Sequence, residues 1–223
     1  MTTIVHLLRH GEVHNPTGVL YGRMPGYHLS EAGRAMAETA AAEVADRDIT
    51  VLVTSPLDRA QETAVPFAKA LGLEAEIDDR VIESTNKFEG KHFGVGDGVL
   101  RKPSSWPLLW NPFKPSWGEP YADIARRMVA AIHDARLKAE GHEALIVSHQ
   151  LPIWTTRLHL EGRSFLHDPR RRQCSLCSLT SLAFDGDRLV AIGYTEPAGH
   201  LIAAKDRRLP FSSGGSLSEG EPS

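Results

Sequence analysis

Three short apolar runs govern how this chain can fold: Ile4 to Leu8, Thr50 to Val53 and Ala144 to Val147. Each is too short for a buried helix and lacks the polar alternation of a half-exposed strand. Each therefore reads as a strand covered on both faces. Helical periodicity lies between them. Ser30 offers an N-cap to a helix running to about Asp46, with Met36, Ala40 and Val44 on one face. Ser55-Pro56-Leu57-Asp58 has the order of a second helix start: serine as cap, proline at the first helical position and an acid at the third. Pro66 is expected to kink or shorten that helix. Pro120 to Glu140 carries the stripe Ile124, Met128, Ile132 and Ala135, and Leu151 to Leu160 is a further helical stretch. Strands alternating with helices specify an α/β fold, here a three-layer α/β/α sandwich with a mostly parallel sheet.

The rest of the chain changes character. Leu179 to Phe184 and Leu189 to Tyr194 flank Asp185-Gly186, a favoured turn pair, so a hairpin is expected to give the sheet an antiparallel edge. From Lys205 onward the chain is polar and ends in Ser, Gly and Glu. That pattern predicts one domain over 1–204 and a disordered tail over 205–223. Residues 94–120 fit no regular element and hold Trp106, Trp110, Trp117 and five prolines. A long irregular stretch of this kind is expected to be a lid or a packing insertion.

Charge and hydropathy narrow the function class. Charged residues make up 24% of the chain and the net charge is −3, without the cationic excess of a nucleic-acid binder. No run approaches the roughly 18 apolar residues that span a bilayer. The N-terminus enters a strand-like run directly, with no basic segment ahead of a long apolar one, so a cytoplasmic protein is expected. Cys174 and Cys177 make no disulfide framework and have no second pair to complete a zinc site. Buried or redox-silent thiols are expected there.

The chemistry gathers where the strands stop. Arg9-His10-Gly11-Glu12 follows the first run, Ser55 with Arg59 the second, and Ser148-His149 the third. In open α/β sheets the ligand crevice lies at the carboxyl ends of the strands. Arg9, His10, Arg59 and His149 are thereby expected to converge, and arginine forks beside histidines suit a phosphate dianion. An arginine in a first helical turn opposes the helix dipole, a cost that a bound anion offsets. Taken singly, His10 and His149 have ordinary structural readings, His149 as a helix cap; it is the joint pattern that points to function. His6, His10 and His14 recur at four-residue steps, but His6 lies in a strand, so no helical metal site follows. No metal and no cofactor are expected. Arg170-Arg171-Arg172 reads as a solvated loop, contact with an anionic substrate being the alternative. Neither a G-x-S-x-G elbow nor a P-loop is present.

LLRHGE at 7–12 resembles the signature of the histidine phosphatase (phosphoglycerate mutase-like) superfamily. Further segments follow in that family's order: LSEAG at 29–33, TSPLDRAQETA at 54–64, VIESTNKFEG at 81–90, GEPYADIARRM at 118–128 and IVSHQ at 146–150. The resemblance spans about residues 1–204. It implies that His10 takes the phosphoryl group and that Arg9, Arg59 and His149 hold its oxygens. Glu83 resembles the general acid/base, with Glu12 and Glu89 as rival carboxylates. Asn15 and Gln150 are expected to contact substrate, with two departures. Asn15 stands five residues past His10 where the family often has asparagine six past, and Gln150 replaces a common glycine. Phe88 stands for a usual tryptophan and GEP at 118–120 for a usual GES.

The implied activity is hydrolysis of a phosphomonoester through phospho-His10, on the phosphatase branch. A mutase is the alternative, although no Arg- and Pro-rich clasp of the mutase type is found. A non-catalytic module that reads phosphorylated ligands is the third reading; it would be expected to have lost His10 or Glu83. The expected partner is a small phosphorylated metabolite, with no nucleic acid and no membrane, and a homodimer is the assembly allowed for.

Overall fold

The computed structural model describes residues 1–91, 118–168, 171–202 and 215–216. Its main sheet has six strands: β1 (Thr2–Arg9), β3 (Ile49–Thr54), β4 (Ala75–Ile77), β5 (Glu143–Ser148), β6 (Leu179–Asp185) and β7 (Arg188–Thr195). Their spatial order is β4-β3-β5-β1-β6-β7. The first four of these are mutually parallel, and β6 and β7 continue the sheet antiparallel. The mostly parallel sheet with an antiparallel edge is thus as expected. Gly186 and Asp187, rather than Asp185-Gly186, form the two-residue hairpin loop, since Asp185 pairs with Arg188. Gly186 has φ 60°, at the first loop position, where a type II′ turn demands a positive value.

Alternate residues of the buried strands feed two cores. Leu8, Leu52, Leu145 and Val147 pack with helices α1 (Glu31–Glu43) and α2 (Asp58–Leu71). Val5, Leu7, Val53, Ala144 and Ile146 pack with α3 (Tyr121–Lys138) and α4 (Gln150–Leu160) on the other face. Two helical layers with the sheet between them form the three-layer sandwich. The α3 stripe Ile124, Met128, Ile132 and Ala135 is buried throughout, each large side chain contributing about 1.5–3 kcal/mol against exposure.

Ser30 caps α1 as expected, its Oγ accepting from Gly33 N at 3.0 Å. The second helix start differs. α2 begins at Asp58 with Leu57 at the cap and no side-chain capping bond. Ser55 is not the cap because its N–H still donates to Val147 O in the sheet and its hydroxyl is hydrogen-bonded to His149. Pro66 does not end α2, which runs on to Leu71 and stops at Gly72, in the left-handed region at φ 67°.

The expected lid falls almost wholly on residues 92–117, outside the described residues. Its far flank returns to the fold through Gly118, bridged to Asn86, and through Glu119 N donating to Thr85 O. The tail expected over 205–223 also lies outside them, except that Gly215–Ser216 (β8) pairs parallel with Val13–His14 (β2). Among the described residues no helix is long and apolar enough to cross a membrane.

Candidate active site

Register brings the strand ends level. Arg9 pairs with Ser148 across β1 and β5, and Thr54 pairs with Val147 across β3 and β5. The next residues, His10, His149 and Ser55, therefore emerge side by side at one carboxyl edge. The His10 and His149 rings lie 5.1 Å apart, centroid to centroid. The chain after His10 turns hard against α1. A Cβ on Gly33 would stand 2.0 Å from Glu12 O, and one on Gly11 would stand 2.5 Å from Gly33 O. Only glycine at both positions allows that approach.

The hydrogen bonds of His10 fix its tautomer. Its Nδ1 is 2.7 Å from Gly11 O, a carbonyl that can only accept, so Nδ1 carries the hydrogen. Nε2 keeps its lone pair and accepts from Arg59 Nε at 3.3 Å. Burial first, then the Arg59 and Arg9 guanidiniums, hold the imidazole well below its usual pKa of 6.5. The ring is a neutral base with its lone pair on Nε2.

The flanking groups are buried too. Arg9 donates from Nη1 to Cys174 O at 2.7 Å, which anchors it to the loop before β6. Arg59 donates from Nη2 to Gly22 O at 2.7 Å and lies 4.8 Å from the centroid of the Tyr21 ring. Burial is the leading cause of its lowered pKa. His149 shares a 2.7 Å hydrogen bond between Nε2 and Ser55 Oγ, while its Nδ1 is buried with no partner among the described residues. Burial, then Arg59, also holds His149 well below 6.5.

A cleft opens over this group, and among its lining residues are Arg9, His10, Tyr21, Glu83, Gln150 and Arg172. Arg59 and His149 touch or flank His10 without being among the lining residues, and are nearly inaccessible, at 1% and 0% exposure. Of the three carboxylates, Glu83 alone lines the cleft. Its Oε1 accepts from the adjacent Ser84 N, and Arg23 Nε holds the Glu83 carbonyl at 2.6 Å. The Glu12 carboxylate accepts from Ser30 Oγ at the start of α1. Glu89 accepts from the backbone N–H groups of Arg23 and Asn86 and ties those loops together.

Gln150 is the first residue of α4, so its backbone N–H is one of the unsatisfied donors at a helix N-terminus, beside His10. Asn15 is buried and does not line the cleft. Its amide donates to Val19 O at 2.9 Å and accepts from Thr17 Oγ1, so it staples its own loop.

Tyr21 and Arg172 are among the lining residues that were not singled out as site residues. Tyr21 is buried, stacks on Tyr27 and has its pKa pushed up to about 12, mainly by burial. Arg172, read as solvated loop with contact to an anionic substrate as the alternative, is half-buried in the cleft wall; nothing in a run of three arginines marked which one turns inward. The two cysteines are free and buried, with thiols raised to about 11 and about 12 by burial, as redox-silent residues would be.

A mixed six-stranded sheet with helices on both faces matches the phosphoglycerate mutase-like α/β fold, and the sequence places it more narrowly. The chain belongs to the histidine phosphatase superfamily (branch 1), whose sequence profile matches residues 5–196. It is 58% identical over 196 residues to the uncharacterized protein Rv0525 of Mycobacterium tuberculosis (strain ATCC 25618 / H37Rv), covering 88% of this chain and 97% of that one. Among solved structures, Bacillus stearothermophilus YhfR matches with a TM-score of 0.73 at 22% identity, covering 90% of this chain and 100% of its own. Mycobacterial glucosyl-3-phosphoglycerate phosphatase Rv2419c matches with a TM-score of 0.64 at 24% identity, over 82% and 91%. At those identities the two structures speak for the fold.

Proposed function

We propose that this protein is a phosphomonoesterase that works through phosphorylation of His10 Nε2. One observation carries the reading: His10 is buried, neutral and held in the tautomer that presents a lone pair at Nε2, in a cleft walled by arginine and one carboxylate. Nε2 attacks phosphorus and the bond to the ester oxygen breaks. Arg9, Arg59 and His149 take up the charge on the transferred oxygens, a transfer that depends on positioning and electrostatics. Glu83 gives its proton to the departing alcohol. It then takes one from the water that attacks the phosphohistidine, which releases phosphate and restores neutral His10.

The reading explains two features that a purely structural role leaves costly. His149 Nδ1 is buried without a partner among the described residues, and Arg59 lies in the first turn of α2, where its charge is disfavoured. A phosphate dianion compensates both. The setting we propose is cytoplasmic, with a small phosphorylated metabolite as substrate. A panel of phosphorylated metabolites assayed for phosphate release, with and without 2,3-bisphosphoglycerate, tests the reading. Release of inorganic phosphate without that compound supports it. Isomerisation of phosphoglycerate without net release would assign a mutase instead.

A further inference from the structure

Arg172 is held in place by one neighbour and has no anionic hydrogen-bond partner among the described residues. Its Nε donates to His167 Nε2 at 2.8 Å, and His167 in turn donates from Nδ1 to Phe165 O at 2.7 Å. That relay fixes the plane of the guanidinium. The Nη1 and Nη2 groups have no hydrogen-bond partner among the described residues, and no carboxylate pairs with this side chain. It lines the catalytic cleft together with Arg9 and His10. On its other side it borders a groove that carries Arg157, Arg163 and Arg171 and one carboxylate, Glu196, which hydrogen-bonds to Ser175 and Tyr194. Glu161 bridges Arg157 and Arg163, so their charge is partly answered. Arg171 is exposed and, like Arg172, has no carboxylate partner among the described residues.

Such an arrangement is costly unless something fills it. Burial works against the charge of Arg172 and is the leading cause of its lowered pKa. The free edge of an oriented guanidinium matches two oxygens of a carboxylate or a phosphate. The phosphoryl group to be transferred already has Arg9 and Arg59 beside His10.

We infer that Arg172, with Arg171 at its back, forms a subsite for a second anionic group of the substrate, a carboxylate or a second phosphate a few bonds from the phosphoryl group that is transferred. The inference rests on the phosphatase reading and narrows its substrate class to phosphomonoesters with two anionic ends. It gives the arginine loop a role in selectivity and leaves bond cleavage to the groups at the strand ends.

The test compares matched pairs of esters on the full chain. 3-Phosphoglycerate against glycerol 3-phosphate isolates a carboxylate, and fructose 1,6-bisphosphate against fructose 6-phosphate isolates a second phosphate. The wild-type protein is expected to favour the doubly anionic member of one pair by tenfold or more in kcat/KM, and the pair that responds names the group. Arg172→Gln is expected to reduce that preference at least tenfold. Arg172→Lys, which keeps charge and stem but loses the fork, is expected to reduce it severalfold and serves if the glutamine variant does not fold. No preference in either pair, or a preference that survives both substitutions, overturns the inference. Calorimetric binding of the same pairs to the His10→Ala variant, which has no phosphoryl acceptor, carries the comparison independently of turnover. Failure to hydrolyse p-nitrophenyl phosphate counts against the phosphatase reading, whereas equal affinity within both pairs counts against the subsite.

Discussion

Arg59 Nε lies 3.3 Å from His10 Nε2 and donates to the very lone pair that a phosphorus atom would have to reach. The guanidinium thus adds to burial in keeping the imidazole neutral and occupies the nitrogen that the proposed reaction uses. A dianion entering the cleft offers Arg59 a better acceptor, and the lone pair becomes available as substrate arrives.

Arg59→Lys is therefore not conservative. Lysine keeps the charge but cannot hold Gly22 O, His10 Nε2 and a phosphoryl oxygen from one plane. We expect kcat/KM to fall by about tenfold or more, equivalent to about 1.4 kcal/mol or more of transition-state stabilisation. Arg59→Gln removes a charge that depresses the His10 pKa, so the acid limb of its kcat/KM profile should move to higher pH. Wild-type kinetics in the lysine variant, or an acid limb that does not move in the glutamine variant, would place Arg59 outside the reaction.

Stability should fall on the acid side. His10 and His149 both have folded-state pKa values well below 6.5, with burial the first cause. The unfolded chain takes up these protons as pH drops through about 6.5, while the native state resists until much lower pH. The stabilisation is complete above about 6.5 and is lost as pH falls toward the folded values. The slope is at most about 1.4 kcal/mol per pH unit for each histidine. Denaturant melts from pH 7.5 to 5 measure it. His149→Asn should flatten the dependence, and an equally steep dependence in that variant would mean that other groups carry it.

Most of this architecture was legible because physics repeats it locally. Apolar runs without alternation gave the parallel strands, and the polar residues just past them had to meet at one edge once the strands paired in register. Arg9, His10 and His149 come together by that rule, and Arg59 reaches His10 from the first turn of α2. Ser55 was misread because a Ser-Pro-x-Asp order favours a cap, while tertiary contacts with Val147 and His149 claimed its backbone and hydroxyl. Asn15 and Arg172 lie in irregular segments where no period dictates which way a side chain turns. Asn15 hydrogen-bonds within its own loop; of the two readings of the arginine run, solvated loop or contact with an anionic substrate, Arg172 fits the second in position, since it lines the cleft.

Glu83→Gln should separate substrates by leaving group. An alkyl alcohol needs a proton as its bond to phosphorus breaks, and nitrophenolate does not. General acid catalysis typically contributes about 10²–10⁴-fold where the proton is needed. The loss in kcat/KM should therefore be far larger for an alkyl phosphate than for p-nitrophenyl phosphate. Equal losses for the two esters would leave Glu83 a positional role. The same pattern in Glu12→Gln or Glu89→Gln would reassign the acid, against the hydrogen bonds that hold both carboxylates in structural roles.

Turnover should survive prolonged chelation with EDTA. The charge of a phosphate dianion is met by Arg9, Arg59 and the helix N-terminus at Gln150, so positive charge is already in place without a metal. Loss of activity that Mg²⁺ or Zn²⁺ restores would show that a cation shares the load.

The central claim is that His10 itself accepts the phosphoryl group, and the direct test is to find it there. The Glu83→Gln variant, which forms the phosphoenzyme from p-nitrophenyl phosphate but lacks the base that activates water, is quenched in alkali and digested. The peptides are then sequenced by mass spectrometry. The account predicts one added phosphoryl group on the peptide containing His10, stable to alkali and lost in acid, and no such peptide when His10→Ala is introduced. Phosphate found instead on His149, Ser55 or Ser148, or rapid nitrophenol release that persists in His10→Ala, would contradict it.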